Sequence, residues 1–169
     1  MTELEQFRAQ KDDFFRLHPQ SPLLPDQQMS FAGLSYFSEN VDLRLELPIE
    51  RFAKAETVYF ETTGSTLAPH LKFSRIRFKV AGHDVELTVF STAHGLFLPF
   101  VDSLAGIETY PAGRYLEPEL LDDRNLFVDF NLAYNPYCAY NDQWTCPICP
   151  PENRLNVVIR AGEKMFHLN

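Results

Sequence analysis

Three cysteines late in the sequence have the types and spacing that could support chemistry. Cys146 and Cys149 form a Cys-x-x-Cys motif, and Cys138 precedes it. Such spacing is typical of half a zinc site, in which a third thiolate and a histidine, His94 or His167, would complete the four ligands. A second Cys-x-x-Cys motif is absent, and the proline after Cys149 has no N–H to donate to sulfur. We therefore favour no metal site and keep zinc bound by the three cysteines as an alternative.

The same thiols are candidates for redox or nucleophilic chemistry. A reactive Cys-x-x-Cys pair usually precedes a helix that lowers a thiol pKa, whereas Pro150 and Pro151 follow this motif. A nucleophilic Cys138 needs a base, and residues 131–153 contain no histidine. We therefore favour a buried Cys138 that packs as a small apolar side chain. A thiol-dependent enzyme remains an alternative.

A second group of candidate residues is polar. Asp129 and Asn131 are separated by one residue at the end of a predicted strand, so both point to the same face. Together with nearby polar side chains they would bind a polar or anionic small molecule. Alternatively, they hydrogen-bond the backbone groups of an irregular buried loop, which need partners. The candidate ligand-binding residues are Asp102, Arg114, Asp129, Asn131, Asn135 and Cys138.

The segment that must position these residues runs from 131 to 153. It has no helical or strand periodicity and no glycine, and it is rich in proline and aromatic residues, including the single tryptophan, Trp144. Structureless loops of this length are uncommon in compact domains, and disordered segments are poor in aromatic residues. We therefore predict an ordered loop that folds back over the domain.

Alternating apolar and polar residues predict the strands before this loop. Leu43–Leu47 and Val58–Thr62 are strands, and residues 73–91 form a hairpin. With Gly82-His83 as its turn, the predicted apolar pairs are Val80–Val85, Phe78–Leu87 and Ile76–Val89, and Lys79 faces Glu86. Residues 96–101 form a further strand, which Pro99 places at a sheet edge. Residues 109–116 form a turn followed by a short strand, and strands also cover 126–130 and 155–168.

The N-terminal residues predict an amphipathic helix. Thr2 and Glu5 form a capping box, and the helix ends at His18 because a proline follows. We expect its apolar face to pack on the outside of a sheet, with the methylene stem of Lys11 along that face and its ammonium in water.

The fold class is therefore mainly β, an antiparallel barrel or sandwich with an N-terminal helix and a long ordered Cys/Pro/aromatic loop. We predict a single domain over residues 1–169. It consists of the helix at 1–18, a β core at 31–130, the loop at 131–154 and C-terminal strands at 155–168.

Charge and hydropathy exclude several classes of function. The formal net charge of −8 disfavours nucleic acid, which requires a basic surface, and it disfavours anionic membranes. We expect no signal peptide and no membrane span, since residues 1–17 are charged and the longest apolar run is short. Three cysteines without a secretory context favour reduced thiols and a cytoplasmic location.

Several motifs resemble a family of small bacterial and archaeal proteins known only as a domain of unknown function, of the DUF1684 type. They are FAGLSYF at 31–37, LFLPFVD at 96–102, TYPAGRYL at 109–116, AYNPYCAYN at 133–141, CPICPPENRL at 146–155 and IRAGEK at 159–164. The positions matching its motifs are Asp102, Gly113, Arg114, Tyr115, Asp129, Asn131, Asn135, Cys138, Cys146 and Asn153. Two positions depart from the pattern, because Pro111 replaces a glycine and Cys149 replaces a proline. The resemblance implies no activity and no cofactor.

The expected function is binding of a small molecule beneath the loop, in a pocket edged by Arg114, Asp129 and Asn131. The alternatives are a flavin- or thiol-dependent enzyme and a structural or interaction protein without a ligand. We predict no cofactor, with zinc and flavin as alternatives.

Overall fold

The computed structural model describes residues 1–166, and its first element, helix α1 (Glu3–Leu17), begins with the predicted capping box. The Thr2 hydroxyl accepts a hydrogen bond from Glu5 N, and the Glu5 carboxylate accepts one from Thr2 N. The helix ends before His18, whose extended backbone precedes a proline.

The apolar face of α1 packs on loop segments, which corrects the prediction that it covers a sheet. Phe15 lies in a cluster with Leu23, Phe31 and Tyr140, near the short helix α2 (Pro25–Ser30) and the late loop. The edge of the Tyr140 ring meets the Phe15 ring at 5.2 Å between centroids. The loop therefore provides the apolar surface that the helix needs.

The chain between α2 and residue 129 is mainly antiparallel β structure, as predicted. A 3₁₀ turn at Val41–Leu43 precedes the first strand. The strands are β1 (Arg44–Pro48), β2 (Glu50–Arg51), β3 (Thr57–Glu61), β4 (Leu67–Val80), β5 (His83–Thr92), β6 (Gly95–Phe100), β7 (Arg114–Leu116), β8 (Glu119–Leu120) and β9 (Asn125–Asp129).

The strands form two sheets that contribute to one apolar core. One sheet has the order β1-β9-β8 and the other β2-β4-β5-β6-β7, with β3 also paired to β4. Leu126 and Val128 of the small sheet share the core with Ile76, Leu87 and residues of β6 and β7. Within residues 1–166 the strand pairing leaves both sheets open, so the closed-barrel alternative is wrong.

The predicted hairpin is present, but its register differs from the prediction by two residues. Val80 pairs with His83 and Phe78 with Val85, and the turn residues are Ala81 and Gly82. Both turn residues have positive φ, 50° and 81°, as a two-residue turn of type I′ requires. A shift of two residues leaves each side chain on its predicted face, so the apolar face still points to the core.

Strand β6 lies inside the large sheet, which corrects the prediction of an edge strand. Pro99 pairs with Tyr115 of β7, while the pairing of β6 with β5 covers only residues 95–97 of β6. Asn153 fills the space where β5 and β6 separate. Its Nδ2 donates to the carbonyl oxygens of Pro99 and Thr88, both at 2.8 Å, and its Oδ1 accepts from Thr88 N at 2.8 Å. Pro99 therefore lies beyond the residues of β6 that pair with β5, and Asn153 binds its carbonyl oxygen instead.

Residues 155–166 contain no regular strand, whereas the sequence predicts strands over 155–168. The segment is held by separate contacts, including Leu155 N to Val101 O at 2.7 Å and Ser103 N to Val157 O at 2.9 Å. Residues 167 and 168 of the predicted strand lie outside the described residues. Among residues 1–166, no helix combines the length and apolarity needed to cross a lipid bilayer.

Candidate functional site

Arg114, a predicted ligand-binding residue, holds the C-terminal segment from within the core. Its side chain is 1% exposed. One terminal nitrogen donates to the carbonyl oxygens of Ala161 and Glu163, and the other donates to that of Ile159 at 2.9 Å. Burial lowers the pKa of Arg114 to about 10, although the nearby Asp102 and Glu163 oppose this shift. The guanidinium is therefore occupied by the backbone of the protein itself.

Asp102 belongs to the same arrangement. Its Oδ2 accepts a hydrogen bond from Ile159 N at 2.7 Å and lies 3.6 Å from a terminal nitrogen of Arg114. The pair compensates two buried charges and fixes residues 159–163 across β7.

Asp129 and Asn131 lie together, as their spacing predicts. Asp129 Oδ1 accepts from both the backbone N and the Nδ2 of Asn131, each at 2.9 Å. Asn131 in turn pairs with the backbone of Asn40, and Arg44 Nε donates to Asp129 Oδ2 at 3.2 Å. The carboxamide of Asn131 therefore joins the segment before β1 to the end of β9.

Asn135 lies beside a buried carboxylate. Its backbone N donates to Glu163 Oε1 at 3.1 Å, and its Nδ2 donates to the carbonyl oxygen of Lys164 at 3.0 Å. Glu163, which is 1% exposed, also accepts from the Tyr140 hydroxyl and forms an ion pair with Lys11. The Lys11 ammonium thus binds a buried carboxylate, whereas the sequence suggested that it points to water.

The long loop is irregular and well attached, and it connects the N-terminal helices with the β3–β4 turn. At its helical end, the Trp144 indole donates to the carbonyl oxygen of Pro22 at 2.9 Å, and Gln27 donates to that of Tyr140 at 2.7 Å. At its other end, Thr63 N donates to the carbonyl oxygen of Cys146 at 3.0 Å. Its rings are therefore held between two distant parts of the chain.

Cys138 and Cys146 are brought together, and Cys149 is held apart. The sulfur atoms of Cys138 and Cys146 are 2.7 Å apart. Cys149 Sγ instead faces the carbonyl oxygens of Pro150 and Asn153 at 3.6 and 3.8 Å. Burial raises the pKa of both Cys146 and Cys149 to about 12. Across residues 1–166, no three His, Cys, Asp or Glu side chains converge as a metal ion would require, and His167 lies outside this range.

A groove of about 780 Å³ opens between α1, the strands β7 to β9 and the loop. We call it the aromatic groove, because six rings lie along its wall. These are Phe7, Tyr115, Phe127, Tyr134, Tyr137 and Trp144, and the polar side chains on the same wall include Gln10, Lys11, Glu117, Glu119, Asp129, Thr145 and Cys146. Asp129 and Cys146 are the residues of this wall that the sequence singled out as candidates for ligand or metal binding.

Some of the charged side chains on the wall of the groove form ion pairs, and others do not. Lys11 is paired with Glu163, and Asp129 is paired with Arg44. Glu117 and Glu119 are exposed, and neither has a basic partner within residues 1–166. The groove therefore combines aromatic surface with uncompensated negative charge.

Glu117 is tied to the loop through Tyr134, whose hydroxyl donates to Glu117 Oε1. Burial, and then the neighbouring Glu117, raise the pKa of Tyr134 well above its ordinary value. The phenol therefore remains a neutral donor, and it orients one oxygen of the carboxylate.

Sequence reasoning missed several residues of this site, above all Glu117, Glu119 and Lys11. Glu117 and Glu119 flank Pro118 directly after a predicted strand. This pattern is the sequence feature that could have identified the two carboxylates as site residues. Lys11 interrupts the apolar face of α1. This position is compatible with an ammonium in water, as predicted, and equally with an ammonium that is paired with a buried carboxylate. Sequence spacing cannot show which distant residue that partner is.

Comparisons with known proteins identify the family of this chain. The family described as "Protein of unknown function (DUF1684)" matches residues 29–164. The solution structure of an uncharacterised protein of Haloarcula marismortui is similar, with 37% sequence identity and a TM-score of 0.71. The match covers 96% of this chain and 92% of the archaeal protein. No curated protein matches the chain. The match over residues 29–164 confirms the resemblance, and the chain belongs to the DUF1684 family of proteins of unknown function.

Proposed function

We propose that this protein binds a small organic cation in the aromatic groove, with an apolar or aromatic body against the rings and a positively charged amine near Glu117. The observation that carries this proposal is the carboxylate of Glu117, which has no basic partner among residues 1–166 and lies at the edge of a groove lined by aromatic rings. A volume of about 780 Å³ is in the range of small-molecule sites.

The shape of the wall supports a ligand with a flat apolar part. The rings of Tyr137 and Trp144 meet edge to face at 5.0 Å between centroids, and the rings of Tyr115 and Tyr134 do so at 6.0 Å. Such rings are rigid and present large apolar surfaces with one polar tip.

The charge on the wall supports a cationic group. Aromatic faces attract cations through their quadrupole, and the attraction is larger when the cation is partly desolvated. Lys11 already lies over the Tyr134 ring, with its ammonium 4.9 Å from the ring centroid. Glu117, for which residues 1–166 provide no basic partner, supplies the opposite charge that fixes the amine.

Binding of three related probes tests this proposal. We expect benzyltrimethylammonium to change the fluorescence of Trp144, whereas its neutral isostere neopentylbenzene and the anion phenylpropionate bind at least about tenfold more weakly. Glu117→Gln is expected to weaken binding of the cation about tenfold. Asp84→Asn removes an exposed carboxylate at the distant hairpin turn and is expected to leave binding unchanged.

Two results would overturn the proposal. One is that millimolar benzyltrimethylammonium leaves the fluorescence of wild-type protein unchanged. The other is that all three probes bind equally well and that Glu117→Gln has no effect.

A structural role without a ligand is the second candidate, and one observation favours it. Arg114, Asp102, Asn131 and Asn153 each form hydrogen bonds with backbone groups of the protein. Flavin- and thiol-dependent catalysis, and a location in the cytoplasm, remain predictions.

We also propose a β-sandwich as the architecture, because both sheets contribute to one core.

A further inference from the structure

The sulfur atoms of Cys138 and Cys146, beside the aromatic groove, are close enough to react with each other. Cys138 Sγ and Cys146 Sγ are 2.7 Å apart, which is closer than an ordinary nonbonded contact of about 3.5–4 Å and longer than a disulfide bond of about 2.05 Å. We propose that Cys138 and Cys146 form a reversible disulfide by exchange with a low-molecular-weight disulfide of the glutathione type.

The structure distinguishes this pair from the Cys-x-x-Cys motif. Residues 146–148 run extended beside the end of β3, with Ile148 N donating to the carbonyl oxygen of Glu61 at 2.8 Å. Side chains three residues apart in an extended segment point to opposite faces. Cys149 therefore faces away from Cys146, toward the carbonyl oxygens of Pro150 and Asn153.

Exposure and hydrogen bonding favour Cys138 as the thiol that reacts first. Cys138 is partly exposed, whereas Cys146 is buried. Thr63 Oγ1 accepts a hydrogen bond from Cys146 N at 3.0 Å and lies 3.4 Å from Cys138 Sγ. The Thr63 hydroxyl is therefore within reach of the Cys138 sulfur, which also donates to the carbonyl oxygen of Trp144 at 3.0 Å.

The exchange proceeds in two balanced steps. The Cys138 thiolate attacks one sulfur of the small disulfide, forms a mixed disulfide and releases one small thiolate. Cys146 then gives its proton to the released small thiolate and attacks the Cys138 sulfur, which closes the protein disulfide and releases the second small thiolate. Two protein thiols lose two electrons and two protons, and the small disulfide is reduced to two thiols.

The bond would close a ring that contains part of the groove wall. Trp144 and Thr145 lie between the two cysteines, and both contribute to the wall. Oxidation would therefore restrict the segment that carries the single tryptophan. The disulfide itself depends on the two thiols alone and goes beyond ligand binding in the groove.

Equilibration of the full chain with mixtures of reduced and oxidised glutathione tests the proposal. We expect the number of thiols titrated after denaturation to fall from three to one, with a mass loss of about 2 Da, and to return to three in excess reduced glutathione. Chymotryptic cleavage after Tyr140 and Trp144 separates Cys138 from the peptide that carries Cys146 and Cys149. Fragmentation of the linked peptides by tandem mass spectrometry then identifies which of these two cysteines is bonded to Cys138.

Two variants provide matched controls. Cys149→Ser is expected to lose both of its remaining thiols under oxidising conditions, whereas Cys138→Ser is expected to form no bond within the chain. Three thiols that persist in oxidised glutathione, or a linkage that includes Cys149, would overturn the proposal.

Discussion

Asn153 joins two strands through one carboxamide at the point where they separate. Its side chain makes three hydrogen bonds of 2.8 Å to Thr88 and Pro99, and it is fully buried. Removing it would leave one N–H and two carbonyl oxygens without partners inside the sheet. Each buried unsatisfied group costs about 1–3 kcal/mol.

We therefore expect Asn153→Ala to lower the free energy of unfolding by at least about 3 kcal/mol, measured by urea denaturation. Asn156→Ala changes an exposed asparagine three residues later, and its effect is expected to be within about 0.5 kcal/mol. Equal stability of the two variants would show that the sheet does not depend on the carboxamide.

Cys149 predicts how stability depends on pH. Its ordinary pKa is near 9, and burial raises the pKa to about 12 in the folded protein. Below pH 9 the thiol is neutral in both states. Above pH 9 it ionises in the unfolded chain alone, so the stability that the buried thiol contributes falls as pH rises.

Between pH 8 and pH 10, wild type is therefore expected to lose about 1 kcal/mol more stability than Cys149→Ala. Urea denaturation of both proteins in reducing buffer at each pH measures this difference. The buried tyrosines and Cys146 contribute alike to both proteins and cancel. Parallel loss of stability in the two proteins would contradict the prediction.

Among the elements, β7 depends on a close backbone approach at Gly113. This residue has φ of +100°, and a Cβ atom there would lie 2.4 Å from the carbonyl oxygen of Phe100 in β6. Gly106 has a similar φ of +82°, but a Cβ atom there would meet nothing within 4 Å. Alanine substitution at the two glycines therefore distinguishes the cost of steric contact from the cost of the backbone conformation.

We expect Gly106→Ala to cost about 1–2 kcal/mol, the penalty for a left-handed residue. Gly113→Ala is expected to cost at least about 2 kcal/mol more, because β6 and β7 must move apart. Thermal or urea denaturation of both variants measures the difference. Similar destabilisation would show that strand packing tolerates the added atom.

The elements also show how far the sequence determines the fold. The capping box at Thr2, the alternation of β9 and the turn before β7 are local signals, and each predicted its element. The hairpin register was wrong by two residues, because a shift of two keeps every side chain on the same face. The type I′ turn at Ala81-Gly82 decides between these registers, and an alanine with positive φ gives no sequence signal.

The candidate site was less predictable than the strands. Asp129 and Asn131 were paired correctly because only one residue separates them at the end of β9. Contacts between distant residues, such as Lys11 with Glu163 and Cys138 with Thr63, depend on how the loop returns to the helix and to the β3–β4 turn. A single sequence contains no local pattern that reports such contacts.

At the scale of the whole molecule, the loop is expected to unfold together with the sheets. Trp144 lies in the loop, and its indole donates to the carbonyl oxygen of Pro22 beside α2. We expect urea unfolding curves from Trp144 fluorescence and from far-ultraviolet circular dichroism to have the same midpoint, as in a two-state transition. A fluorescence midpoint at lower urea would show that the loop detaches first.

The carbonyl groups that surround Arg114 come from residues 159–163, and translation produces these residues after all nine strands described here. Until they emerge from the ribosome, Asp102 is the only carboxylate among residues 1–158 that forms an ion pair with this guanidinium. Docking of this segment is therefore expected to complete the core as a late step of biosynthesis. A nascent chain that stops before residue 159 would retain an open, charged interior and be exposed to proteolysis.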